Sequence, residues 1–545
     1  MKVYRAKTPA RAIQKTIDVA ASFGEDLDKR VYIFVESRAS LSYEAAIAKK
    51  LGGSFSISVM SFSRYVSLSQ KVEKYLTKTS AALVIRKLIE ENFSILTRLR
   101  RGTSNLAVNV YNVISQMKSA KVSPKDLFSV IEKEGGAFAG KLKDIAFLYA
   151  EYERFIKDGG YTDENAFLQM MPDILRHDEN MRGAKVIVSG ISNLTKNAID
   201  ILDTLNALTD LSVVTVSHDA AGYTNEIYRK ILALYKDCRI FDDGKASDEQ
   251  EAVINGLFDP LVFKKAGLYS DKVHIFEYAD VTGEAHAVAK RIRFEVVNNK
   301  RRYRDFVIAA GDVARYAPLY KRVFSEYGIP LFADEKKSIA AHPLVTLILT
   351  LIDCKRLNFR PDVCLKAVKN PFFTDEAQAG AFEDYLLAVT PSRRMMVKEF
   401  SVPEAEKARS KLVEVVSELS TKNTVNGYIG WLLRLYDRFC FDAGNQKLSD
   451  DLSAMGEDEL AMFTVTAYKA LSGLIESTAS VAGDALVDID LFKSLFSSAV
   501  GATEISLIAT HSDCVFFGDT RTAPLYTAKV LFCVGFDSGV PSVKK

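Results

Sequence analysis

The sequence predicts an α/β fold with two parallel-sheet units, each interrupted by an all-helical insertion. Three observations carry that expectation. Short continuous apolar runs, the mark of strands buried on both faces, occur near residues 33, 187, 308 and 532. The stretch at about 80–170 shows long helical periodicities with no strand signal, and that at 342–495 is helical again. At 545 residues the chain also exceeds what one core can serve, so several compact units are expected.

The elements follow in order. Val3 through Arg11 lie between a short β-like start and a helix whose Ile13, Ile17 and Ala20 recur at helical spacing. Val31-Tyr32-Ile33-Phe34-Val35 and Ile57-Ser58-Val59-Met60 are strands with a helix between them. Leu83, Leu88 and Ile89 then mark one helix and Val110, Val113, Ile114 and Met117 another; Ser123-Pro124 starts a third, Ser as cap and Pro at its first position. Strands return at 185–190 and 211–216. Further on, Val273-His274-Ile275-Phe276 reads as a strand, Glu284 to Val296 as a helix, and Phe306 to Ala310 as a strand. A helix over 317–327 is closed by Gly328, and a strand begins at Pro330. From His342 the chain is helical, with polar linkers near 372–380, 441–458 and 478–485, before strand signals at 506–508 and 530–535. The resulting boundaries are 1–78, 79–178 (helical), 179–270, 271–341, 342–500 (helical) and 501–545.

Composition excludes several classes. The 72 Lys+Arg against 69 Asp+Glu give no large basic field, so any nucleic-acid contact must be local. No apolar run is long enough for a membrane span, and no signal-peptide pattern opens the chain. Six scattered cysteines without a C-x-x-C pair fit reduced thiols in a cytoplasm, and a metal site is not expected.

A nuclease site of the P-D…E-x-K type needs carboxylates on adjacent strands. Pro172-Asp173 and Pro361-Asp362 instead sit where helices start, and Glu335-Lys336-Lys337 lacks the upstream pair. Lys300-Arg301-Arg302-Tyr303-Arg304, the densest basic run, reads as a solvated turn rather than a phosphate clamp.

The plan resembles the superfamily 1 helicase core, with two RecA-like lobes carrying helical insertions. Particular words narrow the resemblance: Val59-Met60-Ser61-Phe62-Ser63-Arg64, Leu83 to Glu90, Lys121 to Leu127, Lys141 to Asp144 with Tyr149, and the block from Glu284 to Leu344 all look like the AddB (RexB) family. That family supplies the B subunit of the bacterial ATP-dependent helicase–deoxyribonuclease. The ending Val534-Gly535-Phe536-Asp537-Ser538-Gly539-Val540-Pro541 resembles the family's G-x-N-D-G-V-x-P turn. Family members continue well beyond it, through a nuclease domain and iron–sulfur cysteines. The resemblance therefore implies a fragment with a truncated second lobe and exposed apolar residues near 505–536.

The resemblance also places candidate residues. The family's G-x-x-G-x-G-K-[ST] loop falls on Tyr4 through Arg11. Lys7 and Pro9 stand in glycine positions, Ala10 in the lysine position and Arg11 in the Ser/Thr position. A working loop turns backbone N–H groups onto phosphate and holds magnesium through a hydroxyl. This one has no glycine, and proline has no N–H. The family's Asp-Gly-Phe becomes Ser189-Gly190-Ile191, which removes the carboxylate that would organise magnesium. In the second lobe, Thr510-His511 reads as a chance pair rather than a remnant of T-x-H-x-x-K-G-L-E.

For single-stranded DNA, and possible reading of a recombination signal, the resemblance points to Arg38, Ser40, Phe62 and Arg64. Phe62 would stack on a base, or else be core. Lys118 and Lys121 are weaker candidates for duplex phosphates. The expected function is a non-motor subunit of a double-strand-break-processing complex in recombinational repair. It would carry no catalytic site, ATP, magnesium or iron–sulfur cluster of its own and would pair with an AddA-type helicase–nuclease. The alternatives are an NTPase with a displaced phosphate site, at Gly52-Gly53, Gly135-Gly136 or Gly159-Gly160, and an assembly scaffold without DNA contact.

Overall fold

The computed structural model describes residues 1–24, 30–37, 39–53, 55–70, 74–100, 106–131, 137–191, 193–217, 226–242, 272–483, 485–509, 512–520 and 528–536. Contacts divide the chain into two units. The first comprises Met1–Tyr75, Ser115–Ser123 and Asp158–Ala279; the second comprises Leu76–Ile114, Pro124–Lys157 and Asp280–Lys545.

In the first unit, β1 (Lys2–Ala6), α1 (Pro9–Ser22), β2 (Val31–Phe34), α2 (Ser40–Leu51), β3 (Ile57–Met60) and α3 (Phe62–Ser69) alternate from the start. The short strands β4 (Tyr75–Leu76) and β5 (Thr162–Asp163) bracket helices α4 (Lys78–Glu91), α5 (Leu106–Ser119), α6 (Pro124–Ile131) and α7 (Ala137–Gly159). After β5 come α8 (Glu164–Gln169), α9 (Met171–His177), β6 (Lys185–Ser189), α10 (Lys196–Leu208), β7 (Asp210–Val216), α11 (Glu226–Leu234) and β8 (Arg239–Asp242).

The six strands form one parallel sheet in the order β3-β2-β6-β7-β1-β8. Helices cover both faces. On one, α1 and α2 bury Ala12, Ile17, Ala20, Tyr43 and Ile47 against Ile33, Val59, Ile187 and Val214. On the other, Tyr65, Val66, Phe167, Leu175, Ile201, Leu205 and Ile231 cover Val3, Phe34, Val186, Val188 and Val213. Burial from both sides explains why these strands read as unbroken apolar runs rather than alternating ones.

In the second unit, β9 (Phe306–Ala310), β10 (Leu331–Ala333), β15 (Val515–Asp519) and β16 (Val530–Val534) form a parallel sheet in the order β10-β15-β9-β16. Two short antiparallel pairs, β11 (Lys336–Ser338) with β14 (Glu504–Ser506) and β12 (Lys422–Thr424) with β13 (Leu486–Asp488), complete the strands described there. The helices Val281–Asn299 and Val313–Glu326 pack on this sheet through Ala285, Ala289, Ile292, Tyr320 and Phe324. The helical α4 groups with the second unit, lying against Asp458–Ala482 and Ile489–Ala502. Arg86 there donates to Ser494 Oγ at 2.7 Å.

Several expected elements differ. Val273 to Phe276 form no strand: every residue from 272 to 280 is exposed, Ile275 by 95%. Apolar character alone does not make a strand, which needs a neighbour to take its N–H and C=O groups. The 441–458 stretch is mostly the helix Phe441–Ala454, and residues 478–482 complete the helix Asp458–Ala482. The first of these buries Asn445 and Ser449 beside Phe441, so its inward stripe is partly polar and escapes a hydrophobic pattern. Ile508 lies outside any strand and is exposed. In β16, Leu531 and Cys533 are exposed while Val534 is buried, so this strand is not buried throughout.

Candidate functional site

In a parallel α/β sheet a ligand crevice opens beyond the C-terminal strand ends, where connections leave toward opposite faces. Here the connection from β1 runs to α1 on one face, and that from β6 runs to α10 on the other. The residues at this point are Lys7 to Arg11 and Ser189 to Ile191.

The helix start there is already occupied by its own chain. Thr8 is the cap of α1, and its Oγ1 accepts the Arg11 N–H at 3.2 Å. Its carbonyl accepts the Ala12 N–H at 2.9 Å. Pro9 at the first helical position has no N–H to offer. Pro9, Ala10 and Arg11 are exposed, whereas Lys7 is buried. The threonine–proline pair is an ordinary helix-start signature, so this cap is readable from the sequence.

Ser189, at the end of β6, is fully inside. Its Oγ lies 2.9 Å from Thr16 Oγ1 and 2.8 Å from the Tyr43 hydroxyl. Thr16 Oγ1 also bonds the Ala12 carbonyl at 2.8 Å. One proton order satisfies all three hydroxyls: Tyr43 donates to Ser189, Ser189 to Thr16, and Thr16 to the carbonyl. Gly190, at φ +70°, has the Tyr43 hydroxyl 3.6 Å from where a Cβ would stand. Thr16 and Tyr43 are not among the residues that the sequence motifs single out. Thr16 sits four residues from both Ala12 and Ala20 on the buried stripe, and that spacing is its signal. A neutral hydroxyl trio and a proline-started helix do not fit a magnesium–nucleotide group, which needs free N–H donors, an accessible Lys and a carboxylate.

Three of the four single-strand candidates, Ser40, Phe62 and Arg64, lie along the same sheet edge, at the starts of α2 and α3 beyond the adjacent strands β2 and β3. Ser40 begins α2 and donates to the Ser37 carbonyl at 2.7 Å; Arg38 lies outside the described residues. Ser61 caps α3 by accepting the Arg64 N–H at 3.3 Å, and the Arg64 side chain is exposed. Phe62 is half-buried, its ring centroid 5.1 Å from that of buried Phe34. Behind it, Tyr65 donates to Asp178 at 2.6 Å; burial and that carboxylate push the phenol pKa far up, so it stays protonated. Thr510 and His511 also lie outside the described residues.

Lys118 does not face solvent. It makes a 2.8 Å ion pair with Asp163, and both are buried, which removes it as a phosphate contact. Lys121 pairs with Asp200. Asp173 and Asp362 stand in the first turns of helices with proline at the second and the first position, respectively. The Lys300–Arg304 run leads from Lys300, at φ +52° closing the preceding helix, into the one-turn 3₁₀ helix Tyr303–Asp305. Among the described residues, no helix is long and apolar enough to cross a membrane, and no three His, Cys, Asp or Glu side chains gather as metal ligands.

Comparison with known proteins matches residues 12–239 to the family model "ADDB, N-terminal". Over 97% of its length the chain is 23% identical to the B subunit of the ATP-dependent helicase/deoxyribonuclease of Listeria monocytogenes serotype 4a, covering 52% of that protein. The Bacillus subtilis protein of the same name is 22% identical over 92% of the chain and 49% of its own length. That of Thermoanaerobacter pseudethanolicus is 22% identical over 86% and 45%. The chain spans about half the length of the curated relatives it matches.

Proposed function

Because the chain belongs to the AddB family, we propose that it serves as a non-motor, helicase-like part of a DNA-repair helicase–nuclease complex. On this reading it guides single-stranded DNA and hydrolyses no ATP. It has no magnesium or iron–sulfur chemistry of its own, and it works in the cytoplasm beside an AddA-type catalytic subunit. Ser40 and Arg64, at the sheet edge beyond β2 and β3, are proposed DNA contacts, with Phe62 behind them; Arg38, outside the described residues, is proposed from the sequence alone. A track that does not step can dwell on a recombination signal that a motor would pass.

One observation carries the non-motor part. The stretch where the resemblance puts a phosphate loop starts a helix with Thr8 as cap and Pro9 at its first position, and the Tyr43, Ser189 and Thr16 hydroxyls bond one another, which supports a site without nucleotide. The displaced-site alternative finds no support nearby. Gly52 closes α2 and Gly160 follows α7, both at positive φ after helices rather than between a strand and a helix. Gly135 and Gly136 lie outside the described residues.

The test is an equilibrium titration of the chain with fluorescent ATP and magnesium. No saturable binding is expected up to millimolar nucleotide. Saturation in the micromolar range would overturn the reading and restore an NTPase.

A further inference from the structure

The outer face of the Val281–Asn299 helix and the turn after it form one basic, partly aromatic surface within the second unit. The helix buries Ala285, Val288, Ala289, Ile292 and Glu295, which turns Lys290, Arg293, Phe294 and Val297 outward. Phe294 is 51% exposed and Val297 67%, with cations beside them on the same helix. Arg291 lies over the Phe294 ring, 5.5 Å from its centroid. Arg293 donates to the Tyr303 hydroxyl at 2.9 Å, tying the helix to the turn.

Carboxylates compensate only part of this charge. Glu295 takes Arg291 and Arg301, Asp305 takes Lys529, and Asp513 accepts the backbone N–H of Arg304. Among the described residues, the side chains of Lys290, Arg293, Lys300, Arg302 and Arg304 are in no ion pair. The run at 300–304 reads from sequence as a solvated turn; the helix face beside it adds the aromatic ring and the second row of cations. In a chain with a net charge of only +3, such a local excess complements a polyanion. Cations that track a backbone around an exposed ring are the composition of a single-strand platform.

On the DNA-binding reading proposed above, we infer that this surface holds the backbone of a single-stranded nucleic acid, with Phe294 stacked on a base. The test uses the full 545-residue chain and a fluorescein-labelled oligothymidine, titrated by anisotropy across a salt series. Replacing Lys290, Arg302 and Arg304 together by Ser is expected to flatten the log–log salt slope by about 2, at about 0.7 for each lost phosphate contact. Phe294→Ala is expected to weaken binding about 5- to 150-fold, the range for one stacked base. A control replacing the exposed Lys366, Lys447 and Lys469 by Ser should leave the slope unchanged. Melting curves establish that each variant is folded. Should the triple variant melt early, Arg302→Ser alone serves, with an expected slope change of about 0.7.

Binding by the parent chain with an unchanged slope in the patch variant would overturn this surface and leave the DNA-binding reading standing. So would an equal loss in the control, or a neutral Phe294→Ala. A parent chain that binds no oligothymidine would overturn both.

Discussion

The Phe62 ring lies against Phe34, with Tyr65 edge-on to the same phenylalanine. That contact makes Phe62 part of the packing that fixes the start of α3, while Arg64, two residues along, faces water. Phe62→Ala should therefore lower stability by about 1–2 kcal/mol, less than the roughly 3–5 of a fully buried Phe. Arg64→Ala should leave the melt unchanged and weaken oligothymidine binding. A Phe62→Ala chain that melts normally yet binds weakly would give the ring to DNA instead. The same question of facing decides Lys118 and Lys121. Lys118 follows Ile114 by four residues, on the buried stripe of α5, and ends against Asp163; Lys121, past the helix end, stays at the surface. Spacing held that information, but a lysine's chemistry reads the same in either place until its partner is known. Ser189 is similar: a lone serine after an apolar run shows in the sequence, whereas its closure by Tyr43 and Thr16 needs three distant segments to meet.

Element by element, legibility followed the number of faces buried. β2, β6 and β9 are covered on both sides and read directly as apolar runs. The helix Phe441–Ala454 did not, because its inward residues include Asn445 and Ser449. Asn445 is there for His342, the buried cap of helix Pro343–Arg356. Leu344 donates its N–H to His342 Nδ1 at 3.2 Å, so the proton sits on Nε2, which donates to Asn445 Oδ1 at 3.0 Å. Burial pushes the imidazole pKa below its ordinary value, and the Asn445 bond offsets only part of that. In the unfolded chain the ring titrates near its ordinary value of about 6.5. Below that pH the unfolded state binds the extra proton and the folded state does not. The histidine's contribution is therefore complete above pH ~6.5 and is lost as pH falls toward the depressed folded value. The loss amounts to at most about 1.4 kcal/mol for each pH unit. Urea midpoints at pH 7.5 and 5.5 check this: the parent should lose more between them than His342→Asn, which keeps a capping side chain but cannot titrate. Equal losses would remove His342 as the cause.

Chain order and compactness part company at the scale of the whole molecule. The alternation of strands and helices predicts an α/β plan with helical insertions, and the two parallel sheets bear out the α/β class. What periodicity cannot supply is the company each helix keeps. The insertion helix α4 buries Leu83, Val84, Ile85, Leu88 and Ile89, an apolar set too wide for a helix lying on one neighbour. Its neighbours come from residues 458–482 and 489–502, far along the chain. A cut at 279/280, where contacts rather than the strand pattern divide the chain, therefore separates α4 from the helices that cover it. A chain of residues 1–279 should expose this face, bind an apolar dye and self-associate, because a patch of that size exceeds what monomers tolerate. Co-expressed with residues 280–545, it should bind little dye and co-purify with the second piece through the α4 contacts. Arg86→Ala, which removes the bond to Ser494, should weaken that recovery without abolishing it. A monomeric, dye-silent 1–279 chain with a cooperative melt would show that α4 finds its cover within the first half.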